Sequence, residues 1–166
     1  MKNIILTGMM GCGKTTCARA VAKALGRRAV DTDELVVQMA GMSISDIFLR
    51  HGEETMRDIE TQVCRNLSQS ENLVIATGGG LPLRQVNREL LRENGVVVFL
   101  NRDPGEVYDH SDMSGRPLGQ AGREAFLQRF ADREPIYREF AHVVIDDFST
   151  LDATVREILE KVEERL

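Results

Sequence analysis

Apolar residues fall into two kinds of pattern along this chain. Short unbroken runs fall within Asn3 to Leu6 (Ile4-Ile5-Leu6), Ala29-Val30, Leu73 to Ala76, Val96 to Leu100 and His142 to Ile145 (Val143-Val144-Ile145), and each is followed by a polar residue. Runs of this length without alternation read as strands buried on both faces. Between them, apolar positions recur at helical spacing. Lys14 to Leu25 predicts a helix with Ala18, Val21, Ala22 and Leu25 as its buried stripe and Gly26 as its C-terminal cap. A second helix follows Asp31-Thr32-Asp33 and runs to about Ala40, closed by Gly41. Ser43 reads as the next N-cap, with Asp46 three residues on. Gly52 breaks that segment, and a longer helix over about Glu53 to Ser68 puts Met56, Ile59, Val63 and Leu67 on one side. Pro82 sits near the start of a helix ending near Asn94-Gly95, and Asp103-Pro104 starts a short one. Residues 109–122 carry little periodic hydrophobicity and several glycines, which predicts a mobile loop. A helix from about Arg123 to Arg133 is interrupted or kinked by Pro135. Ser149 or Thr150 caps a last helix to Arg165.

Five strands alternating with helices predict one α/β domain over residues 1–166, a parallel sheet with helices on both faces. Ligands in such sheets gather beyond the carboxyl ends of the strands. Gly8, Asp31, Asp33 and Thr77 to Gly80 all follow strand ends and are expected to face one crevice.

Composition narrows the function classes. Of 166 residues, 42% are hydrophobic and 28% charged, ordinary for a globular protein. A formal net charge of -5 disfavours broad nucleic-acid binding. No apolar run approaches the roughly 20 residues that span a bilayer, so no membrane partner is expected. The first residues are strand-like, with no secretory signal. The three cysteines, Cys12, Cys17 and Cys64, are odd in number and lack metal-ligand pairing. That usage fits a reducing cytoplasm.

The chemistry concentrates at Gly8-Met9-Met10-Gly11-Cys12-Gly13-Lys14-Thr15. A glycine, four residues and then Gly-Lys-Thr between a strand and a helix is the phosphate-binding loop of nucleoside triphosphate enzymes. Its N–H groups turn inward around phosphate, backed by the helix dipole. Lys14 supplies a point charge for the outer phosphates, and the Thr15 hydroxyl can hold Mg2+. Cys12 reads as a small filler inside the loop. Asp31 and Asp33 lie two apart and, in an extended segment, point the same way. Because Leu73 to Ala76 ends without a carboxylate, Asp31 is the candidate for the metal shell and Asp33 the acceptor of a substrate proton. Either could instead cap the following helix. Gly78 to Gly80 suit a backbone that a ligand touches, or a tight turn. Arg57, Arg116 and Arg133 can bind carboxylate or phosphate, although spacing alone does not select them from the other arginines.

These motifs together resemble the shikimate kinase family. The resemblance rests on Gly8 to Thr16, Asp31-Thr32-Asp33, Ser43 to Phe48, Gly52-Glu53, Met56 to Glu60, Gly78 to Gly80, Arg116-Pro117-Leu118 and Arg133 to Tyr137, in the family's order and at its length. It implies a P-loop NTPase fold of the nucleoside monophosphate kinase kind, with substrate-binding helices over about 33–61 and a lid over about 109–122. It also implies transfer of the ATP γ-phosphate to the 3-hydroxyl of shikimate, in a cytoplasmic monomer. Carried over by motif, Gly11, Cys12, Gly13, Lys14, Thr15, Thr16 and Arg116 bind the nucleotide, with Thr15 and Asp31 at Mg2+. Asp33 is the base and a shikimate ligand, Arg57 and Arg133 clamp the carboxylate, and Gly78 to Gly80 wall the ring. Lys14, Arg116 and Asp33 are the catalytic set. The chain departs from the family at Tyr108-Asp109-His110-Ser111, where an Arg-Thr pair is usual, and at Gly119, where leucine is usual. His51, His110 and His142 read as structural or solvated. A kinase for another hydroxy acid such as gluconate, or a nucleotide-binding module without turnover, are the alternatives.

Overall fold

The computed structural model describes residues 1–110 and 122–166. Five strands, β1 (Asn3–Thr7), β2 (Arg28–Asp31), β3 (Leu73–Ala76), β4 (Gly95–Leu100) and β5 (Val143–Ile145), form one parallel sheet in the order β2-β3-β1-β4-β5. The helices are α1 (Lys14–Leu25), α2 (Thr32–Ala40), α3 (Ile44–Ser68), α4 (Gln85–Glu93), α5 (Pro104–His110), α6 (Arg123–Phe140) and α7 (Leu151–Val162). Short 3-10 turns occupy Leu81–Leu83 and Glu163–Arg165.

Alternation along each strand divides the core. Ile4, Leu6, Val74, Ala76, Val96 and Val98 pack with Ala18, Val21 and Ala22 of α1 and Ile158 and Val162 of α7. Ile5, Leu73, Ile75 and Val97 face the other way, against Val36 of α2, Met56, Val63 and Leu67 of α3 and Leu91 of α4. The helix after β1 therefore lies on one face and the helix after β3 on the other. The two chain segments part above adjacent strands, which opens a crevice at that point. α6 spans both layers, giving Phe126, Phe130 and Tyr137 to the first and Phe140 to the second.

Helix ends follow the local chemistry expected of them. Ser43 accepts from the Asp46 N–H at 3.1 Å, and Thr150 from the Ala153 N–H at 3.0 Å, so Thr150 and not Ser149 caps α7. Gly52, at φ 84 and ψ 172, breaks α3 between its two helical halves. His142 is structural: its Nδ1 accepts from the Val97 N–H at 2.9 Å, and burial lowers its pKa from the ordinary value.

Three expectations need correction. Leu25 is 39% exposed, so the α1 stripe ends at Ala22. Met56, Val63 and Leu67 of α3 share one core cluster and half-buried Ile59 packs against it, as expected, with Arg57 and Glu60 also buried at that level. Asp109 and His110 belong to α5; the Asp109 carboxylate pairs with Arg123 at 3.0 Å, which ties this helix end to α6. The remainder of the expected loop, 111–121, lies outside the described residues, and so does Arg116. Pro135 does not stop α6, which runs to Phe140. The missing N–H costs one internal bond, but Phe130, Arg133, Tyr137 and Phe140 form a buried face on both sides of it and hold the helix through.

Gly95 begins β4 opposite Asn3. A methyl group there would lie 2.6 Å from the Leu91 carbonyl oxygen and would overlap the Ile5 side chain. Gly95→Ala is expected to lower the unfolding free energy by about 1–3 kcal/mol, the usual cost of overpacking. Urea unfolding should show a lower midpoint with unchanged m-value.

Candidate active site

The loop after β1 has three glycines at positive φ, beginning with Gly8 at φ 148. Gly11 has φ 79 and Gly13 φ 93, which side chains with a Cβ adopt at a cost. Gly13 is the N-cap of α1 and offers no side-chain cap, so the first amides of the helix point into the loop. Lys14 is buried, and its Nζ donates to the Gly8 carbonyl at 2.7 Å and the Met9 carbonyl at 2.8 Å, with Cys12 Sγ 3.9 Å away. Cys12 is buried as a filler, whereas Thr16 is exposed at the start of the helix.

The Thr15 hydroxyl donates to Asp31 Oδ2 at 2.5 Å. The other oxygen of Asp31 caps α2, accepting from the Asp33 N–H at 2.8 Å and the Glu34 N–H at 3.4 Å. Capping and proximity to the phosphate loop are thus both true of this residue. The helix begins at Thr32, so Asp33 is helical and not part of an extended pair as expected. Thr32 points the opposite way, is buried, and its hydroxyl accepts from the Gly78 N–H at 2.8 Å.

Beside Gly78 to Gly80, the space a side chain would enter is bordered by four other side chains and the phosphate-loop backbone. A methyl group on Gly78 would lie 2.5 Å from Asp33 Oδ1 and 3.3 Å from Glu60 Oε2. On Gly79 it would lie 3.3 Å from the Met10 amide nitrogen and 3.5 Å from Arg133 Nη1. On Gly80 it would lie 2.6 Å from the central carbon of the Arg57 guanidinium. One short backbone segment therefore touches the phosphate loop, the candidate base and both candidate clamp arginines. The segment is itself fastened by Thr77, which bonds the Leu6 carbonyl through both N–H and hydroxyl at 3.0 and 3.1 Å. Beyond it, Asn87 accepts from Thr61 at 2.8 Å and donates to the Leu81 carbonyl at 2.9 Å, which joins α3 to the turn after the glycines.

The electrostatics are those of buried charge. Arg57 bonds Glu60 at 2.6 Å and Glu53 at 3.1 Å. Burial disfavours its charge, but Glu60 and Glu53 outweigh burial and raise its pKa above the ordinary value. Arg133 is 3% exposed, and among the described residues its Nη1 has no hydrogen-bond partner. Burial lowers its pKa. Glu60 is 1% exposed; burial pushes its carboxyl up, Asp33 adds to that, and Arg57 and Arg133 pull the other way. An unpaired buried guanidinium nitrogen is costly unless an anion meets it. A carboxylate is the complementary partner for such an arginine pair.

Asp31, Asp33, Arg57, Gly78, Gly79, Gly80, Arg133, Lys14 and Thr15 are all gathered at this one end of the sheet. Glu60, Thr32 and Tyr137 belong to the same constellation and were not singled out from the sequence. Their signals were faint: Glu60 stands three residues after Arg57, Thr32 lies between two acids, and Tyr137 follows Arg133 by one helical turn. Among the described residues no group of three His, Cys, Asp or Glu could hold a metal alone. None of the described helices is long and apolar enough to cross a membrane.

Comparison with known proteins bears on this arrangement. A family profile described as shikimate kinase matches residues 10–163. The chain is 44% identical over 171 residues to the shikimate kinase of Symbiobacterium thermophilum, covering 98% of this chain and 97% of that one. Among solved structures it is similar to the Acinetobacter baumannii shikimate kinase in complex with shikimate, with a TM-score of 0.91 and 35% identity over 99% of this chain and 94% of that one. It is also similar to the shikimate kinase of Aquifex aeolicus, with a TM-score of 0.86 and 30% identity over 98% and 97% of the two chains.

The Glu60 environment gives a signed pH effect. A carboxyl whose folded pKa lies above the ordinary 4.5 contributes stability fully below that value and loses it as pH rises through the folded pKa. Glu60→Gln carries no such titration. The stability of the unmodified protein relative to Glu60→Gln is expected to increase as pH falls from neutral toward 4.5, measured by urea unfolding at stepped pH.

Proposed function

The chain belongs to the shikimate kinase family, and on that premise we propose that it transfers the γ-phosphate of ATP to the 3-hydroxyl of shikimate, using the constellation around Gly78 to Gly80. The observation that carries the assignment is the point above Gly79, 3.3 Å from an amide of the phosphate loop and 3.5 Å from a buried, unpaired arginine nitrogen. A donor phosphate and an acceptor carboxylate are thereby both accommodated within reach of one small acceptor molecule.

The Gly11 to Thr15 amides cradle the phosphates, and Lys14 exchanges its two loop carbonyls for phosphate oxygens. Arg57 and Arg133 grip the shikimate carboxylate, which fixes the ring against the glycine backbone. Asp33, beside Gly78, holds the ring hydroxyl and accepts its proton as the oxygen attacks the γ-phosphorus. The proton moves to the Asp33 carboxylate, the bond to the β–γ bridging oxygen breaks, and ADP leaves with the electron pair. Most of the rate comes from holding the two reactants in line and from cationic groups around the transferring oxygens. Arg116 is the further cation that family resemblance assigns to this role. Glu60 keeps Arg57 extended toward the acceptor instead of toward the phosphates.

The Thr15 hydroxyl and Asp31 Oδ2, 2.5 Å apart, are hard oxygen donors beside the phosphate loop and suit Mg2+. When bound with the nucleotide, Mg2+ neutralises charge on the outer phosphates. Two protein oxygens are enough, because this ion normally takes the remainder of its shell from phosphate and water.

ADP release measured by a coupled assay should require shikimate, and gluconate should not replace it; Lys14→Ala should abolish nearly all turnover while circular dichroism remains that of the folded protein. ADP release independent of any acceptor would overturn the assignment. Asp33→Asn should lower kcat by roughly a hundredfold or more, with the shikimate KM changed far less. An unchanged kcat would leave Asp33 a binding residue.

A further inference from the structure

We propose that Tyr137 is a positioning residue for carboxylate recognition, its hydroxyl holding the Arg133 guanidinium against the glycine segment. The proposal rests on the reading that Arg133 binds the acceptor carboxylate.

Tyr137 follows Arg133 by one turn of α6, so the two side chains lie side by side on the same ridge. Its ring is fully buried and packs at 5.4 Å on Phe99 of β4, which fixes where the hydroxyl sits. That hydroxyl donates its single proton to the Gly79 carbonyl at 2.6 Å, and Met9 Sδ of the phosphate loop is 3.5 Å away. With the proton committed, the oxygen remains an acceptor. Arg133 Nη1 lies beside the same glycine, 3.5 Å from where a methyl group on Gly79 would sit, and the presence of Tyr137 opposes the desolvation of the arginine. Burial pushes the Tyr137 phenol up to about 12, against the pull of Arg133, so it stays a protonated donor at every working pH.

The consequence for Arg133 is orientation. A guanidinium is a planar fork on a flexible stem, and its value at a carboxylate depends on how much freedom is already lost. Tyr137 fixes the Gly79 carbonyl beside the fork, and among the described residues Nη1 has no hydrogen-bond partner there. Removing the hydroxyl strands the Gly79 carbonyl and takes away the polar group that steadies the neighbouring guanidinium. The backbone wall and the clamp would then lose register together, while the phosphate loop keeps its own strand and helix.

The test is a double-mutant cycle in the full-length enzyme, with steady-state kinetics at varied ATP and varied shikimate. Tyr137→Phe is expected to raise the shikimate KM about tenfold, the usual effect of removing one hydrogen bond to a charged group, with the ATP KM within about twofold. Arg133→Ala should raise the shikimate KM more steeply. Adding Tyr137→Phe to Arg133→Ala should then change it by less than about twofold, because the partner through which the tyrosine acts is gone. With shikimate methyl ester, whose carboxylate is masked, Tyr137→Phe should leave KM unchanged. An unchanged shikimate KM in Tyr137→Phe beside a raised one in Arg133→Ala overturns the role given to Tyr137. So does a tenfold effect that persists in the Arg133→Ala background, or an equal rise in both KM values. An unaffected shikimate KM in Arg133→Ala overturns the carboxylate assignment itself, and with it the role of Tyr137.

Discussion

The site depends on close approach of charged side chains to a bare backbone. The space a methyl group would take is filled at Gly78 by the Asp33 carboxylate and at Gly80 by the Arg57 guanidinium, and at Gly79 it is closely bordered by the phosphate-loop amide and Arg133. Three consecutive glycines cost conformational entropy on folding. Here they let a carboxylate, two guanidiniums and a phosphate loop share a volume too small for any side chain of the segment. Thr32 from one side and Tyr137 from the other pin the segment, at its Gly78 amide and its Gly79 carbonyl.

Buried charge gives the arrangement its specificity. Arg57 and Arg133 are both buried, and Glu60 is the one fully buried carboxylate beside them. Glu60 is already bonded to Arg57, so positive charge is in excess toward Arg133. Desolvation of that excess is offset by an anion of the right shape, and a neutral acceptor would leave it uncompensated. Burial also explains the raised tendency of Glu60 to hold a proton: desolvation, with the Asp33 carboxylate nearby, outweighs the opposing pull of Arg57 and Arg133.

Much of this was legible in the sequence, and the reasons are local. The glycine loop, the unbroken apolar runs and the caps at Ser43 and Thr150 act through neighbours a few residues away, so spacing reveals them. Pro135 misled because its local rule was overridden by packing, with Phe130 and Phe140 holding the helix on either side. Asp33 reached the crevice from a helix and not from a strand, because Asp31 starts the helix one residue sooner than the extended reading allowed. Glu60, Thr32 and Tyr137 were illegible as site residues for a shared reason. Each acts on Gly78 to Gly80 or on an arginine across the fold, and nothing in a linear string marks which buried polar side chain will find its partner some 46 or 58 residues away.

Asp31 joins two halves of the reaction through one carboxyl group. Its Oδ2 meets Thr15 on the nucleotide side, and its Oδ1 grips the amide of Asp33 on the acceptor side. The bite of a carboxylate is a fixed covalent length, so it acts as a gauge block between donor and acceptor. In the proposed role, a cation held by Oδ2 would bear on the same group that caps the first turn of α2. Filling one half of the crevice would thereby retune the aim of the other without any hinge between them.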